Sequence, residues 1–297
     1  MPCSEFIHDI PIDEKFGINL KLFRLDELHP VIQGNKYFKL LHNLEKAKNE
    51  SLKIVTMGGP HSNHIHATAL ACKSEQITCY GIIRGENFNY LSPTLQEAQN
   101  LGMQLIYTDR ETFRQIRDKE DFGWVDASFE DSANFHFIPE GGSNQLGVRG
   151  AEEILQGIEL TYDYVFCPVG TGGTLSGIIR HLKGNKQIIG ISALKDSYLN
   201  EQVEQFVEEA YDNWQINFNY HFGGYAKWDN KLIQFINTFK EKTGVPLCPI
   251  YTGKMMYGIY HLIENHFFPK GSSLLAIHTG GLQGISAFNQ VNQGIIK

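Results

Sequence analysis

The sequence predicts an α/β protein with parallel-rich sheets flanked by helices and the chain shared between two lobes. Short β-rich runs alternate with helix-length amphipathic segments along almost all of the 297 residues. The strand-like runs are continuously apolar instead of alternating, the pattern of parallel strands covered on both faces. A chain of this length can bury about three quarters of its unfolded surface and exceeds one average domain. With 12% aromatic and 20% charged residues it has the composition of a compact soluble protein.

In chain order, the strands expected are Lys53 to Met57 (KIVTM), Ile77 to Ile83 (ITCYGII), Gln104 to Tyr107, Phe135 to Ile138, Tyr164 to Val169 (YVFCPV), Gln187 to Ser192 (QIIGIS) and Ser273 to Thr279 (SLLAIHT). Each is a short apolar run of strand length. Helices are expected over Tyr37 to Asn49, Asn63 to Lys73, Ser92 to Leu101, Val148 to Glu159, Thr174 to Leu182, Asp229 to Lys242 and Lys254 to His266, where the segments are amphipathic and of helix length. The glycine-rich stretch Glu140 to Gly150 (EGGSNQLGVRG) is the nearest thing to a boundary, so short crossings, not a tether, join the lobes. A cleft between lobes is the natural ligand site.

Lys and Arg number 26 against 33 Asp and Glu, a net charge of −7, and no basic run occurs. Nucleic acid and anionic membranes are thereby disfavoured as partners, since both demand concentrated positive charge, and small molecules become the expected ligands. The start MPCSEFIHDI lacks a basic segment followed by a long apolar stretch, and no apolar run approaches the ~18 residues that span a bilayer. A cytoplasmic location is expected. The five cysteines, Cys3, Cys72, Cys79, Cys167 and Cys248, are widely spaced with no C-x-x-C, and read as buried reduced thiols.

Glycines after expected strands give the first chemical signal. Pro168-Val169-Gly170-Thr171-Gly172-Gly173-Thr174-Leu175-Ser176-Gly177 follows an apolar strand and opens a helix. Backbone N–H groups there can curl around an anion, the helix N-terminus adds positive potential, and Thr171 and Thr174 supply hydroxyls. The order is neither G-x-G-x-x-G nor a Walker loop, which weakens dinucleotide and nucleoside-triphosphate readings. A purely structural strand-to-helix turn is the plain alternative.

Lys36 stands where the Gly34-Asn35 turn enters a helix, with Lys39 one turn later. It is either an ordinary solvated lysine or a Schiff-base lysine, whose amine must be partly desolvated to become nucleophilic. Gly58-Gly59-Pro60-His61-Ser62-Asn63-His64 leads into an alanine-rich helix, for which Ser62 or Asn63 would be an acceptable cap. His61, His64 and His66 lack the facing i,i+4 pair and nearby carboxylate of a metal site, so no metal is expected. Phe222-Gly223-Gly224-Tyr225, Tyr251-Thr252-Gly253-Lys254-Met255-Met256-Tyr257-Gly258 and His278-Thr279-Gly280-Gly281 each set a polar or phenolic side chain beside glycine.

Taken in order, Lys36 in G-N-K-x-x-K, the G-G-x-x-S-N-H turn, G-T-G-G-T, G-G-Y, Y-T-G-K-x-M-Y-G and H-T-G-G resemble the pyridoxal-phosphate enzymes grouped as 1-aminocyclopropane-1-carboxylate deaminases and D-cysteine desulfhydrases. The resemblance spans Gly34 to Gly281 and implies the tryptophan-synthase-β-like fold, fold type II, with pyridoxal 5'-phosphate between a large phosphate-binding domain (1–38 and 145–297) and a small one (39–144). Carried over by position, it implies that Lys36 is the covalent anchor of the cofactor and the base that moves the Cα proton. Ser62 would lie near the substrate carboxylate and Asn63 near the pyridoxal 3-oxygen. Gly170, Thr171, Gly172, Gly173 and Thr174 would hold the phosphate, helped by Lys39. Tyr225 and Tyr251 would be paired phenols near the substrate, and Thr279 would face the pyridine nitrogen. Phe38 departs from the arginine usual before the second lysine. A homodimer acting on a small amino acid is implied in the same way.

The bottom-up chemistry agrees, because this cofactor needs a lysine, an anion cradle and groups that tune the ring nitrogen. Ring-opening deaminases of the family resemble Y-E-G where this chain has Tyr251-Thr252-Gly253, and Thr279 also replaces an apolar residue. A carboxylate would hold the ring nitrogen protonated, whereas two hydroxyls at most hydrogen-bond a largely neutral pyridine. The expected activity is α,β-elimination of the desulfhydrase type to pyruvate and ammonia. The alternatives are 1-aminocyclopropane-1-carboxylate deamination or another fold type II dehydratase or racemase.

Overall fold

The computed structural model describes residues 3–29, 31–85, 91–119, 134–195 and 198–297. The chain separates into two compact units, Met1–Asn35 with Ala151–Lys297, and Lys36–Gly150.

The first unit is built on a six-stranded sheet: β1 (Ile7–Ile10), β2 (Asn19–Arg24), β7 (Tyr164–Val169), β8 (Gln187–Ser192), β9 (Trp214–Asn217) and β10 (Ser273–His278), in the order β1-β2-β10-β7-β8-β9. Strand β1 runs antiparallel to β2, and every other pairing is parallel. The central strands are apolar throughout because both faces are covered. Leu20, Leu22, Phe166, Ile189, Leu274 and Ala276 join one core with Leu232, Ile236, Met255, Met256 and Ile259. The intervening Val165, Cys167, Leu275 and Ile277 are buried as well.

The second unit carries a four-stranded, wholly parallel sheet of β3 (Lys53–Gly58), β4 (Cys79–Arg84), β5 (Gln104–Thr108) and β6 (Phe135–Ile138), ordered β5-β4-β3-β6. Val55, Met57, Ile82, Phe113 and Ile116 make one of its cores. The α/β class with parallel-rich sheets is therefore as expected, and β6, β7 and β8 match their expected limits residue for residue.

In chain order the α-helices among the described residues are α1 (Asn35–Asn49), α2 (Asn63–Glu75), α3 (Pro93–Asn100), α4 (Arg110–Lys119), α5 (Gln145–Glu152), α6 (Gly173–Leu182), α7 (Leu199–Val207), α8 (Asn230–Thr243), α9 (Thr252–Glu264) and α10 (Gln283–Val291). Ser62 caps α2 by accepting from the N–H groups of His64 (3.2 Å) and Ile65 (3.3 Å). The helix expected at 148–159 begins earlier and ends earlier. Asn144 Oδ1 accepts from the Gly147 N–H at 2.8 Å and sets its start, and a 3₁₀ turn over Glu153–Leu155 follows α5. Strands β1, β2 and β9, and helices α4, α7 and α10, were not expected. The cysteines Cys72, Cys79, Cys167 and Cys248 are buried free thiols, as the sequence suggested. Among the described residues no helix is long and apolar enough to cross a membrane.

Candidate active site

In the first unit the glycine turn sits at the carboxyl end of β7. Gly172 takes a positive φ of +77° and begins α6 with no side chain capping the helix; the Gly173 N–H bonds Thr171 O at 3.0 Å, and the N–H groups that follow it at the helix start suit an anion. Tyr251 lies against this turn: a Cβ on Gly170 would stand 3.0 Å from Tyr251 Cε1 and 3.3 Å from its hydroxyl oxygen. The Tyr251 ring also meets Tyr225, centroids 6.2 Å apart and planes inclined by 62°. The two phenols expected near the substrate are thus neighbours, and one of them rests on the expected phosphate turn.

Thr279 joins the same assembly through the chain entering α1. Its carbonyl accepts the Asn35 N–H at 3.2 Å, and Asn35 Nδ2 donates to Thr174 Oγ1 at 2.7 Å. Gly34, with φ +70°, approaches so closely that a Cβ there would stand 2.6 Å from Thr279 C and closer still to its carbonyl oxygen. Asn35 therefore couples Thr279 to the glycine turn, a role that its place in the motif did not suggest. Thr252 is fully buried, and its hydroxyl accepts the Cys248 N–H at 2.8 Å while keeping its own proton to donate.

Two buried ionic features of this unit were also missed. Lys254, at 0% exposure, donates to the carbonyls of His221 (2.8 Å), Gly224 (2.8 Å) and Ala193 (3.4 Å), and burial lowers its pKa to about 8. It ties the start of α9, just after Tyr251, to the turn that precedes Tyr225. That turn is conformationally costly, with Phe222 at φ +53° and Ala226 at φ +55°. The second feature is Asp26, held by Arg24 Nε (3.0 Å), Arg24 Nη2 (2.7 Å) and His278 Nδ1 (2.7 Å). Burial alone would raise the Asp26 pKa, but the bonds from His278 and Arg24 prevail and hold it well below the usual carboxylate range. Asp26 is the one buried carboxylate among the described residues.

In the second unit Lys36 opens the helical face that also bears Lys39. Lys36 Nζ donates to Gly141 O at 3.2 Å, and desolvation lowers its pKa to about 8. Lys39 is buried, with Nζ donating to Ser143 Oγ at 2.7 Å. The turn that receives both lysines has Gly141 at φ +72° and Gly142 at φ +69°. Ser62 serves as the cap of α2 and Asn63 is its first residue. The three histidines are separated by their partners: His64 Nε2 meets Thr56 Oγ1 at 2.8 Å, His66 Nε2 lies 2.9 Å from Glu97 Oε2, and His61 is exposed.

A lysine with lowered proton affinity and, separately, an uncapped glycine turn with hydroxyl neighbours are features that pyridoxal-phosphate chemistry needs. The chain belongs to the pyridoxal-phosphate dependent enzymes, whose family pattern matches residues 7–280. It is 27% identical over 304 residues to a Pyrococcus horikoshii protein named "Putative 1-aminocyclopropane-1-carboxylate deaminase", covering 96% of this chain and 91% of that one. It is 28% identical over 306 residues to the mitochondrial bifunctional D-cysteine desulfhydrase/1-aminocyclopropane-1-carboxylate deaminase of Arabidopsis thaliana, covering 93% and 75% of the two chains. A crystal structure described as an ACC deaminase homologue superposes with a TM-score of 0.83 at 24% identity, over 97% of this chain and 93% of the other. The fold is the fold type II architecture that the motifs implied.

The residues present fit the cofactor. The uncapped start of α6 suits a phosphate, and the Lys36 amine, which donates to Gly141 O and has no carboxylate partner among the described residues, is less firmly held than the buried Lys254. Lys254 gives its protons to three carbonyls and is spoken for as an ammonium.

Proposed function

We propose that this enzyme eliminates the β-substituent of a small amino acid, in the manner of a D-cysteine desulfhydrase, and releases pyruvate and ammonia. The observation that carries the choice is the placement of negative charge. The one buried carboxylate, Asp26, is engaged by Arg24 and His278, while the positions expected at the ring nitrogen are the hydroxyl residues Thr252 and Thr279. With no carboxylate to keep the nitrogen protonated, electron withdrawal is moderate. Moderate withdrawal suffices when thiolate or chloride departs, and is inadequate for opening an unactivated cyclopropane.

When bound, pyridoxal phosphate supplies the electron sink for charge at the substrate Cα. In this proposal the protein does the rest. Lys36, with its pKa drawn down to about 8, anchors the cofactor and, once free, takes the Cα proton. Ser62 accepts two backbone N–H groups and turns its own O–H to a substrate carboxylate. Asn63 addresses the cofactor 3-oxygen. The N–H groups and hydroxyls of Gly170 to Thr174, with Lys39, grip the phosphate. Tyr251, which packs on Gly170 and pairs with Tyr225, donates a proton to the departing sulfur in this reading. The same reading takes the working form as a homodimer in the cytoplasm, which sedimentation and cell fractionation would check.

The test is a substrate panel on purified enzyme, read by released ammonia and by the 2-oxo acid formed, which is pyruvate from the three-carbon substrates and 2-oxobutanoate from the cyclopropane or threonine. D-cysteine and β-chloro-D-alanine should turn over well above 1-aminocyclopropane-1-carboxylate. Preferential turnover of the cyclopropane overturns the proposal in favour of the deaminase activity that the name of the Pyrococcus relative carries. Turnover confined to serine or threonine would favour a dehydratase.

A further inference from the structure

His64 has no part in the reaction as written above, yet it is the most constrained histidine of its unit. It is 2% exposed. Thr56 Oγ1 donates its only proton to Ile138 O at 2.8 Å, so toward the imidazole it can only accept. The 2.8 Å contact between Thr56 Oγ1 and His64 Nε2 therefore requires the proton on Nε2. Nδ1 is left as a bare lone pair, buried and without a hydrogen-bond partner. Buried acceptors of this kind call for a donor.

The same ring lies on the turn that receives the lysines. A Cβ on Gly142 would stand 3.1 Å from His64 Cε1 and 3.4 Å from Nδ1, and the adjoining carbonyl, Gly141 O, accepts from Lys36 Nζ at 3.2 Å. Consecutive residues of one turn thus touch the Lys36 amine and the bare nitrogen. The charged and titratable groups around them are few. Lys39, from the same helix as Lys36, donates to Ser143 Oγ at 2.7 Å. The Glu140 carboxylate, next in the turn, lies 3.9 Å from Arg117 Nη1. His136 Nε2 is 2.8 Å from Asn43 Oδ1.

We propose that His64 is a positioning residue for Lys36: the amine, seen donating to Gly141 O, exchanges in solution between that carbonyl and the bare Nδ1 while it is free of the cofactor, and both are uncharged acceptors. This rests on the reading of Lys36 as the cofactor's anchor. No proton changes hands. Burial, and then the charges of Lys36 and Lys39, keep His64 well below its ordinary pKa, so the imidazole stays neutral and stays an acceptor. The chemical point lies in the neutrality. A carboxylate in this place would trap the lysine as an ammonium, whereas a neutral nitrogen orients the amine and leaves it able to lose its proton.

The test is competitive labelling of the cofactor-free enzyme with acetic anhydride across pH, read at Lys36 by peptide mass spectrometry. His64→Asp should cut the reactivity of Lys36 at pH 7.5 about tenfold or more, and His64→Leu should shift the titration in the opposite direction. His64→Asn, which keeps an acceptor near the Nδ1 position, should stay within about twofold of wild type. If the Asp and Leu variants both titrate like wild type, the inference is wrong. Should those variants fail to fold, ¹⁵N spectra of histidine-labelled wild type decide instead. They should show an unprotonated Nδ1 whose resonance moves in Lys36→Met, and a protonated or unresponsive Nδ1 overturns the inference. Borohydride reduction separates this from the parent reading. A pyridoxyl group found away from Lys36 refutes the function, whereas one found on Lys36 beside unaltered labelling in the variants refutes only the role of His64.

Discussion

Replacing Gly34 with alanine should damage stability and chemistry together, and the damage can be worked out atom by atom. The added Cβ would lie 2.6 Å from Thr279 C and 2.9 Å from Gly280 Cα, where carbon atoms ordinarily keep about 3.5–4.0 Å. Relief requires a movement of about 1 Å, of the kind that costs ~1–3 kcal/mol. The φ of +70° adds roughly 1–2 kcal/mol for a residue with a Cβ. Separation of the two segments also weakens the Asn35 N–H bond to Thr279 O, worth ~0.5–1.5 kcal/mol. Alanine recovers about 0.4–1 kcal/mol by restricting the unfolded chain. The net expectation is a loss of about 1.5–6 kcal/mol, read as a lowered urea midpoint of the cofactor-free enzyme by tryptophan fluorescence. Gly244→Ala is the control: φ there is +74° but nothing lies within 4 Å of the new Cβ, so only the conformational part should be lost. Asn35 and Lys36 follow Gly34 directly, so borohydride trapping on Lys36 should fall in the same variant. Equal losses for the two glycines, or a Gly34→Ala loss under about 1 kcal/mol with normal trapping, would refute the reasoning.

Lys36→Met should stabilise the cofactor-free protein at pH 7, because a desolvated ammonium is removed. The folded pKa of about 8 lies below the unfolded value, so below pH 8 wild type bears the full cost of the buried charge. As pH rises from 8 toward ~10.4, the folded lysine sheds its proton first and the advantage of the methionine should vanish. A pH-independent advantage in urea unfolding would contradict this. Asp26→Asn should cost about 3–5 kcal/mol at neutral pH, because the buried Arg24 guanidinium loses its buried carboxylate and keeps only the more exposed Glu27. The Asp26 pKa is depressed, so its contribution exists above ~3.9, and the gap between wild type and variant should close as pH falls below that value. Thr252→Val, nearly isosteric, should cost ~1–3 kcal/mol in thermal unfolding by orphaning the Cys248 N–H. Gly170→Ala, at a position without positive φ, should spare the fold. By pressing on the Tyr251 ring it should lower kcat/KM for D-cysteine by about tenfold or more, and unchanged kinetics would detach Tyr251 from the chemistry.

Sequence reading found the elements whose local pattern matches their burial. Strands β7 and β8 are apolar runs covered on both faces, and their limits could be read directly; the edge strand β6, FHFI, is buried at alternate residues and was found by its short aromatic run. Strand β2 escaped because NLKLFR mixes lysine and arginine into an alternating run. Leu20 and Leu22 are buried, while Arg24 is buried only because Asp26 and Glu27 pair with it. Helix α4, RETFRQIRDK, presents little more than Phe113 and Ile116 to its core, too thin a stripe to notice among so many charges. Strands β1 and β9, at the two edges of their sheet, are short and polar for the same reason that they are edges.

The candidate site divides along a similar line. Glycine turns and the first lysine carry their signal in a few adjacent residues. Lys254 does not, since its acceptors lie 61, 33 and 30 positions away in sequence and none is a side chain. A buried ammonium bound to carbonyls leaves no pattern in neighbouring letters. The Asp26–His278 pair and the tautomer of His64 share that invisibility, because each depends on atoms delivered by a distant strand end.

The two places where the chain passes between its units have a practical corollary for protein engineering. Residues 36–150 form one uninterrupted block, and its ends are pinned side by side: a Cβ on Gly150 would stand 2.8 Å from Phe38 C. None of the six strands of the host sheet comes from that block. The small unit is thus an inserted cassette whose entry and exit could be bridged by a short glycine linker. A host shortened in this way would keep every rung of its own hydrogen-bond ladder, and the excised block could be produced, circularised or exchanged as a separate module.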